Sequence, residues 1–167
     1  QTFPGNWLHP IIAAMICREI IKALQHAHQE GLVHRDIKPE NIFVLNGGAI
    51  KLMDFGIVKN TRNHSITMTG TFMGSPSYMS PEQAAGDEAV LDVRTDVYSL
   101  GVVLYELLAD ERPFQQTRRS ELLRAHLFEE IPYISDSRPG VVVDKGLEKV
   151  LRKALAKDPA RRFANAQ

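Results

Sequence analysis

The chain has 167 residues, 44% of them apolar and 24% charged, proportions of an ordinary globular domain that exclude wholesale disorder and a collagen-like fibre. Lysine and arginine number 20 and aspartate and glutamate 20, so the formal charge is zero, which argues against a nucleic-acid or anionic-membrane binder that works by bulk charge. A single cysteine, Cys17, excludes an intrachain disulfide framework and a multi-cysteine metal site, and no apolar run approaches the ~20 residues that span a bilayer.

In chain order, residues 9–28 read as an amphipathic helix. Pro10 suits its first turn, Ile12, Met15, Ile16, Ile20, Ala23, Leu24 and Ala27 recur at helical spacing, and Gly31 is a natural stop. Ile42–Leu45 and Ile50–Met53 are short β-prone runs separated by Asn46-Gly47-Gly48-Ala49, the signature of a hairpin. Residues 57–82 lack sustained periodicity, and a structureless stretch of that length is usually functional. Asp96–Ala109 is apolar nearly all round, which predicts a helix buried at the centre. Pro113 bars its continuation. Ser120–Glu129 and Asp144–Lys157 are two further helices, the second with a stripe of Leu147, Val150, Leu151, Ala154 and Leu155, and residues 130–143 form the loop between them. Ala164-Asn165-Ala166-Gln167 reads as the opening turn of another helix. The predicted class is α+β, mainly helical, with one small hairpin.

The chemistry concentrates in His34-Arg35-Asp36-Ile37-Lys38-Pro39-Glu40-Asn41 and Asp54-Phe55-Gly56. Asp36 is a carboxylate able to accept a proton from an attacking hydroxyl, and Lys38 is a point charge able to neutralise a transferring phosphate. Asn41 and Asp54 offer oxygen ligands of the kind magnesium takes while it keeps several waters. The hairpin would bring these two together, because they flank its strands. Hydroxyl base, phosphate clamp and paired metal ligands are the components of phosphoryl transfer, where catalysis is mostly positioning and charge stabilisation.

With these motifs the chain closely resembles the eukaryotic-like (Hanks-type) protein kinase family, whose general phosphoryl-transfer logic is a standard worked case. The resemblance runs along essentially the whole chain in the family's order: the catalytic loop at 34–41, the magnesium loop at 54–56, an activation segment ending at Ser80-Pro81-Glu82, then Asp96-Val97-Tyr98-Ser99-Leu100-Gly101 and Arg162. Departures are Ile37 for the usual leucine, Ser80 for the usual alanine, and a slightly long segment from Gly86 to Asp96. The resemblance implies that Asp36 is the catalytic base, Lys38 the γ-phosphate contact, and Asn41 and Asp54 the ligands of magnesium, or of manganese in its place. It implies that Phe43 lies against the adenine of ATP and that Glu40 faces the substrate peptide. His34 and Phe55 resemble the stacked residues that support the active state, Asp96 the anchor of the catalytic-loop backbone, and Glu82 with Arg162 a buried ion pair. Lys38 together with Gly74-Ser75-Pro76-Ser77-Tyr78 resembles serine/threonine-specific members, and Ser80-Pro81-Glu82-Gln83 looks most like bacterial ones. Arg35 ahead of the base resembles members that hold a phosphorylated activation loop, which points to Thr67 or Thr69, and less to Thr71, as phosphosites.

The same resemblance implies protein substrates with Ser or Thr hydroxyls, no nucleic-acid partner, pairing of kinase copies for autophosphorylation, and a cytoplasmic domain whose parent is free to carry a membrane anchor elsewhere. The chain holds no Gly-x-Gly-x-x-Gly loop and no Val-Ala-Ile-Lys-like strand, and it starts at Gln1. The expectation is therefore a partial kinase domain over 1–167, most of the C-terminal lobe, truncated at both ends and inactive alone. The rival readings are a small-molecule phosphotransferase, opposed by Lys38 and the intact Asp54-Phe55-Gly56, and a pseudokinase scaffold, which would need lesions outside this stretch. Of the remaining residues, Cys17 is expected in the core, His26 and His28 on different helix faces, Met68, Met73 and Met79 in packing roles, and Arg118, Arg119 and Arg124 on a solvated face.

Overall fold

The computed structural model describes residues 8–55 and 75–166. The candidate phosphosites Thr67, Thr69 and Thr71, with Gly56, Met68 and Met73, lie outside the described residues. The chain is mainly helical, with one two-stranded antiparallel sheet among the described residues.

Helix α1 (Pro10–Gln29) starts on an N-cap from His9, whose Nδ1 accepts from the Ile11 amide at 3.3 Å, and Pro10 sits in the first turn, where its missing N–H costs nothing. Its buried face is Ala13, Cys17, Ile20, Leu24 and Ala27, a run of alternating fourth and third residues. Ile12 and Met15, assigned to the stripe on sequence, fall off that face and are exposed. Burial pushes the Cys17 thiol up to about 12, so it packs as a small apolar group and is inert as a nucleophile.

Strands β1 (Ile42–Val44) and β2 (Ile50–Leu52) pair in the register Ile42–Leu52, Phe43–Lys51 and Val44–Ile50. The turn needs positive φ at Gly47 (96°) and Gly48 (83°), which glycine adopts without a Cβ clash. Leu52 is buried beneath the hairpin, while Phe43 and Val44 are exposed on it.

The stretch after residue 75 is more ordered than its composition suggested. A 3₁₀ turn at Pro76–Tyr78 leads into α2 (Pro81–Ala85), whose end is a capping box: Ser80 Oγ accepts from Gln83 N at 3.4 Å, and Gln83 Oε1 accepts from Ser80 N at 3.0 Å. Helix α3 (Val93–Ala109) starts three residues before the predicted Asp96, because Asp92 caps it by accepting from Arg94 N at 2.8 Å. It is the centre of the molecule, with Tyr98, Val102, Tyr105 and Leu108 fully buried.

Helices α4 (Arg119–Phe128) and α6 (Lys145–Ala154) lie within a residue or three of the predicted ranges, and Arg118, Arg119 and Arg124 are exposed. Between them the predicted loop contains a one-turn helix, α5 (Ile134–Ser137), with Ile134 buried. In α6 the buried face is Leu151, Ala154 and the flanking Leu155, whereas Val150 is exposed. A Cβ on Gly101 would come within 3.1 Å of Leu155 and 3.2 Å of Ala154, so glycine is what lets the backbone of α3 approach α6 this closely. The last described residues make a bend at 164–165 in place of the predicted helical turn.

Candidate active site

The site is built on a carboxylate at the core. Asp96, in the first turn of α3, has no exposed surface, and its two oxygens are shared among three donors. Oδ1 accepts from Arg35 N at 2.8 Å, and Oδ2 accepts from His34 N at 2.9 Å and from His28 Nε2 at 2.8 Å. A buried carboxylate is tolerable only when so paired. His28 therefore points inward from α1 while His26 is exposed.

The loop above Asp96 is fixed atom by atom. His34 Nδ1 accepts from Asp36 N at 3.2 Å, which leaves the proton on Nε2 to donate to Met53 O at 2.9 Å. The His34 ring also lies 4.7 Å from that of Phe55, tilted by 59°. Asn41, buried in the 3₁₀ turn Pro39–Asn41, donates from Nδ2 to Asp36 O at 2.8 Å and Oδ2 at 3.4 Å. Lys38 Nζ donates to Asp36 Oδ2 at 2.9 Å, and both side chains keep partial access to solvent. Among the described residues, the donors that reach the Asp36 carboxylate converge on Oδ2.

The hairpin returns the chain to the same place. Met53 N donates to Asn41 O at 2.8 Å, so Asp54 follows directly on the residue paired with Asn41. Asp54 has φ 56° and Arg35 φ 66°, both in the left-handed region that non-glycine residues rarely enter. Such strain persists where neighbours over-determine it, and functional sites are where it clusters. Among the described residues no three His, Cys, Asp or Glu side chains form a ready-made metal cluster. The amide oxygen of Asn41 and the carboxylate of Asp54 are nonetheless hard donors of the type and number that magnesium uses when phosphates and water complete its shell. Phe43 and Glu40 lie exposed at the rim.

A second constellation holds the segment leading into α2. Tyr78 O accepts from Ser99 Oγ at 2.8 Å, and Tyr78 Oη donates to Glu106 Oε2 at 2.7 Å. Burial first, and the Glu106 carboxylate second, push the Tyr78 phenol up. Ser75 is half-buried at the start of this stretch, and Ser77 Oγ accepts from Arg112 Nη1. Glu82 takes Arg162 end-on, Nη1 to Oε1 at 2.8 Å and Nη2 to Oε2 at 2.7 Å, with Thr95 Oγ1 donating to Oε1 at 2.9 Å. Burial alone would raise the Glu82 carboxyl, but the Arg162 hydrogen bonds and charge outweigh it and hold it below the usual carboxylate range.

The structure thus brings His34, Arg35, Asp36, Lys38, Asn41, Asp54 and Asp96 together, and pairs Glu82 of α2 with Arg162. Sequence reasoning missed Gln83, His28, Thr95, Ser99 and Glu106. Gln83 carried a readable signal, since Ser80-Pro81-Glu82-Gln83 has the Ser-x-x-Gln spacing of a capping box. The α3 residues were hidden inside a helix read as apolar.

The sequence matches the family model described as protein kinase domain over residues 5–167. It is 41% identical over 160 residues to serine/threonine-protein kinase PrkC of Bacillus subtilis, covering 96% of this chain and 24% of that protein. It is 42% identical over 159 residues to serine/threonine-protein kinase PknD of Mycobacterium tuberculosis, covering 95% and 24%, and 40% identical over 155 residues to a probable serine/threonine-protein kinase PknB of Lactococcus lactis, covering 93% and 24%. The chain spans about a quarter of the length of these curated relatives.

Proposed function

Because the chain belongs to the protein kinase domain family, we propose that it forms most of the large, C-terminal lobe of a serine/threonine protein kinase that transfers the γ-phosphate of ATP to protein hydroxyls. The observation that carries this reading is the Asp36–Lys38–Asn41 cluster, held on a backbone whose amides at His34, Arg35 and Asp36 and carbonyl at Asp36 are hydrogen-bonded, and joined through the hairpin to Asp54.

In this reading Asp36 orients the substrate hydroxyl and takes its proton as the new oxygen–phosphorus bond forms and ADP departs. Lys38 offsets charge on the transferring group while holding the base by their ion pair. Asn41 and Asp54 would hold magnesium, or manganese in its place, which when bound supplies positive charge beside the phosphates. Phe43 receives the adenine and Glu40 faces the peptide. The domain works in the cytoplasm, in keeping with a lone buried thiol. Control comes from phosphorylation at Thr67 or Thr69 by a second copy, because a phosphate there adds about −1.5 to −2 charges able to draw Arg35 into charge-assisted hydrogen bonds.

The test uses the intact parent with magnesium-ATP, a generic Ser/Thr protein and a panel of small alcohols. Asp36→Asn is expected to cut transfer by ~100-fold or more with nucleotide binding retained, since asparagine keeps the shape and loses the base. Transfer within about threefold of the wild type removes the base assignment, and phosphorylation of alcohols but not protein replaces the reading with a small-molecule phosphotransferase. A Thr67→Ala/Thr69→Ala variant is expected to lose most activity, and undiminished activity would discard the activation step alone.

A further inference from the structure

We infer that Gln83 is a positioning residue for the proposed phosphoryl transfer: its side-chain amide ties the peptide bearing the base Asp36 to the helix that ends the activation segment. The inference rests on the reading above and deepens it.

Several polar groups of the loop backbone have identifiable keepers. His34 N and Arg35 N donate to Asp96, Asp36 N donates to the His34 ring, and Asp36 O accepts from Asn41. The Arg35 carbonyl, in the peptide that leads into Asp36, accepts from Gln83 Nε2 at 2.9 Å. Arg35 is one of the two site residues held at positive φ, so its peptide is oriented by these partners and not by an intrinsic preference. The other keepers belong to the loop itself, its following turn or α3, whereas Gln83 sits on α2, 48 positions along the chain.

The amide is held at both ends, and its orientation is unambiguous. Ser80 N–H can only donate and Arg35 C=O can only accept, so Oε1 must face Ser80 and Nε2 must face Arg35. Glutamate at the same helix position would complete a capping box equally well. The cap therefore does not require glutamine, whereas the hydrogen bond to the catalytic loop does. A shift of α2 would be carried by one rigid amide to the peptide next to the base.

The experiment compares Gln83→Glu and Gln83→Ala with the wild type in the intact parent, reading kcat, KM for ATP, melting temperature and amide hydrogen exchange. Gln83→Glu keeps an acceptor for Ser80 N and sets a carboxylate oxygen against the Arg35 carbonyl. It is expected to melt close to the wild type, lose about tenfold or more in kcat with KM for ATP within about threefold, and exchange faster over residues 34–38 but not over 81–86. Gln83→Ala is expected to lose kcat and some melting temperature together. An active wild type with undiminished kcat in Gln83→Glu overturns the inference, as does a loss in both variants that merely tracks the folded fraction. A wild type that transfers no phosphate overturns the function reading instead, and exchange at 34–38 still decides whether Gln83 holds the loop: unchanged exchange refutes it.

Discussion

Arg162 uses all of its hydrogen-bonding capacity. Its guanidinium has five N–H groups, and five acceptors meet it: Ala156 O at Nε, Glu82 Oε1 and Arg94 O at Nη1, Glu82 Oε2 and Lys157 O at Nη2. Three of these are backbone carbonyls from two separate stretches, so the side chain stitches the turn after α6 to the start of α3 as well as pairing with α2. Arg162→Ala would leave Glu82 buried with Thr95 as its remaining side-chain donor among the described residues and free three carbonyls besides. The expected loss is about 3–5 kcal/mol, the range for breaking a buried pair by removing one partner. Denaturant unfolding of the intact parent measures it, and a loss below about 1 kcal/mol would mean that the pair behaves as an exposed one. At this scale the candidate catalytic loop was legible because the residues that suggest it are eight in a row. Partners such as Gln83 for Arg35 and His28 for Asp96 stand 48 and 68 positions away, where no local pattern links them.

Helix α3 shows how one element serves both the core and the site. Its period reads apolar because Val97, Leu100, Val103, Leu104 and Leu108 dominate, yet Thr95, Ser99 and Glu106, at spacings of four and seven, form a row that docks residues 76–82. Asp96, next to that row, docks residues 34–35. The short helices α2 and α5 escaped sequence reading because five and four residues are too few to display a 3.6-residue period. Where α3 meets α6, Gly101→Val would press two methyl groups beyond a Cβ already at 3.1 Å from Leu155. Overpacking of this kind costs typically 1–3 kcal/mol, and a melting temperature unchanged by the substitution would show that α6 slides freely. Where α3 meets α4, His126 is fully buried, with Nδ1 3.1 Å from Tyr98 Oη and the ring 5.1 Å from that of Phe114. Burial first, then the neighbouring Lys157 and Arg112 charges, push its pKa down to about 4. The folded state thus keeps the imidazole neutral while the unfolded chain protonates it near the ordinary value. Stability from this site is complete above pH ~6.5 and is lost as the pH falls toward 4, by roughly 2–3 kcal/mol near pH 4.5. A His126→Phe variant is expected to show a flatter stability curve between pH 6.5 and 4.5, and parallel curves would remove His126 as the cause.

For the molecule as a whole, the apolar surface is as telling as the buried core. Phe43 (50% exposed) and Met53 (46%) leave one face of the hairpin uncovered beside the cluster of Asp36, Lys38 and Asn41, and Val44 (64%) is exposed on the opposite face. Ile11 (64%) and Met15 (53%) do the same at the start of α1. Exposed apolar surface of this kind marks a place where another body sits, or, when none does, a route to aggregation. In a two-lobed kinase that body would be the lobe carrying the glycine-rich loop and the strand lysine, motifs absent from residues 1–167. Without them the α- and β-phosphates lose their principal contacts, and positioning can account for ~7–11 kcal/mol of a barrier. Residues 1–167 expressed alone are therefore expected to transfer no phosphate, even though the packing of α1, α5 and α6 around α3 gives them a core of their own. The comparison is the purified stretch beside the intact parent, each with magnesium-ATP and a generic protein substrate, with circular dichroism and light scattering to follow folding and association. A helical but silent and association-prone stretch fits the two-lobe account. Transfer at a rate comparable to the parent would mean that the cluster around Asp36 grips ATP unaided, and the need for a second lobe would fall.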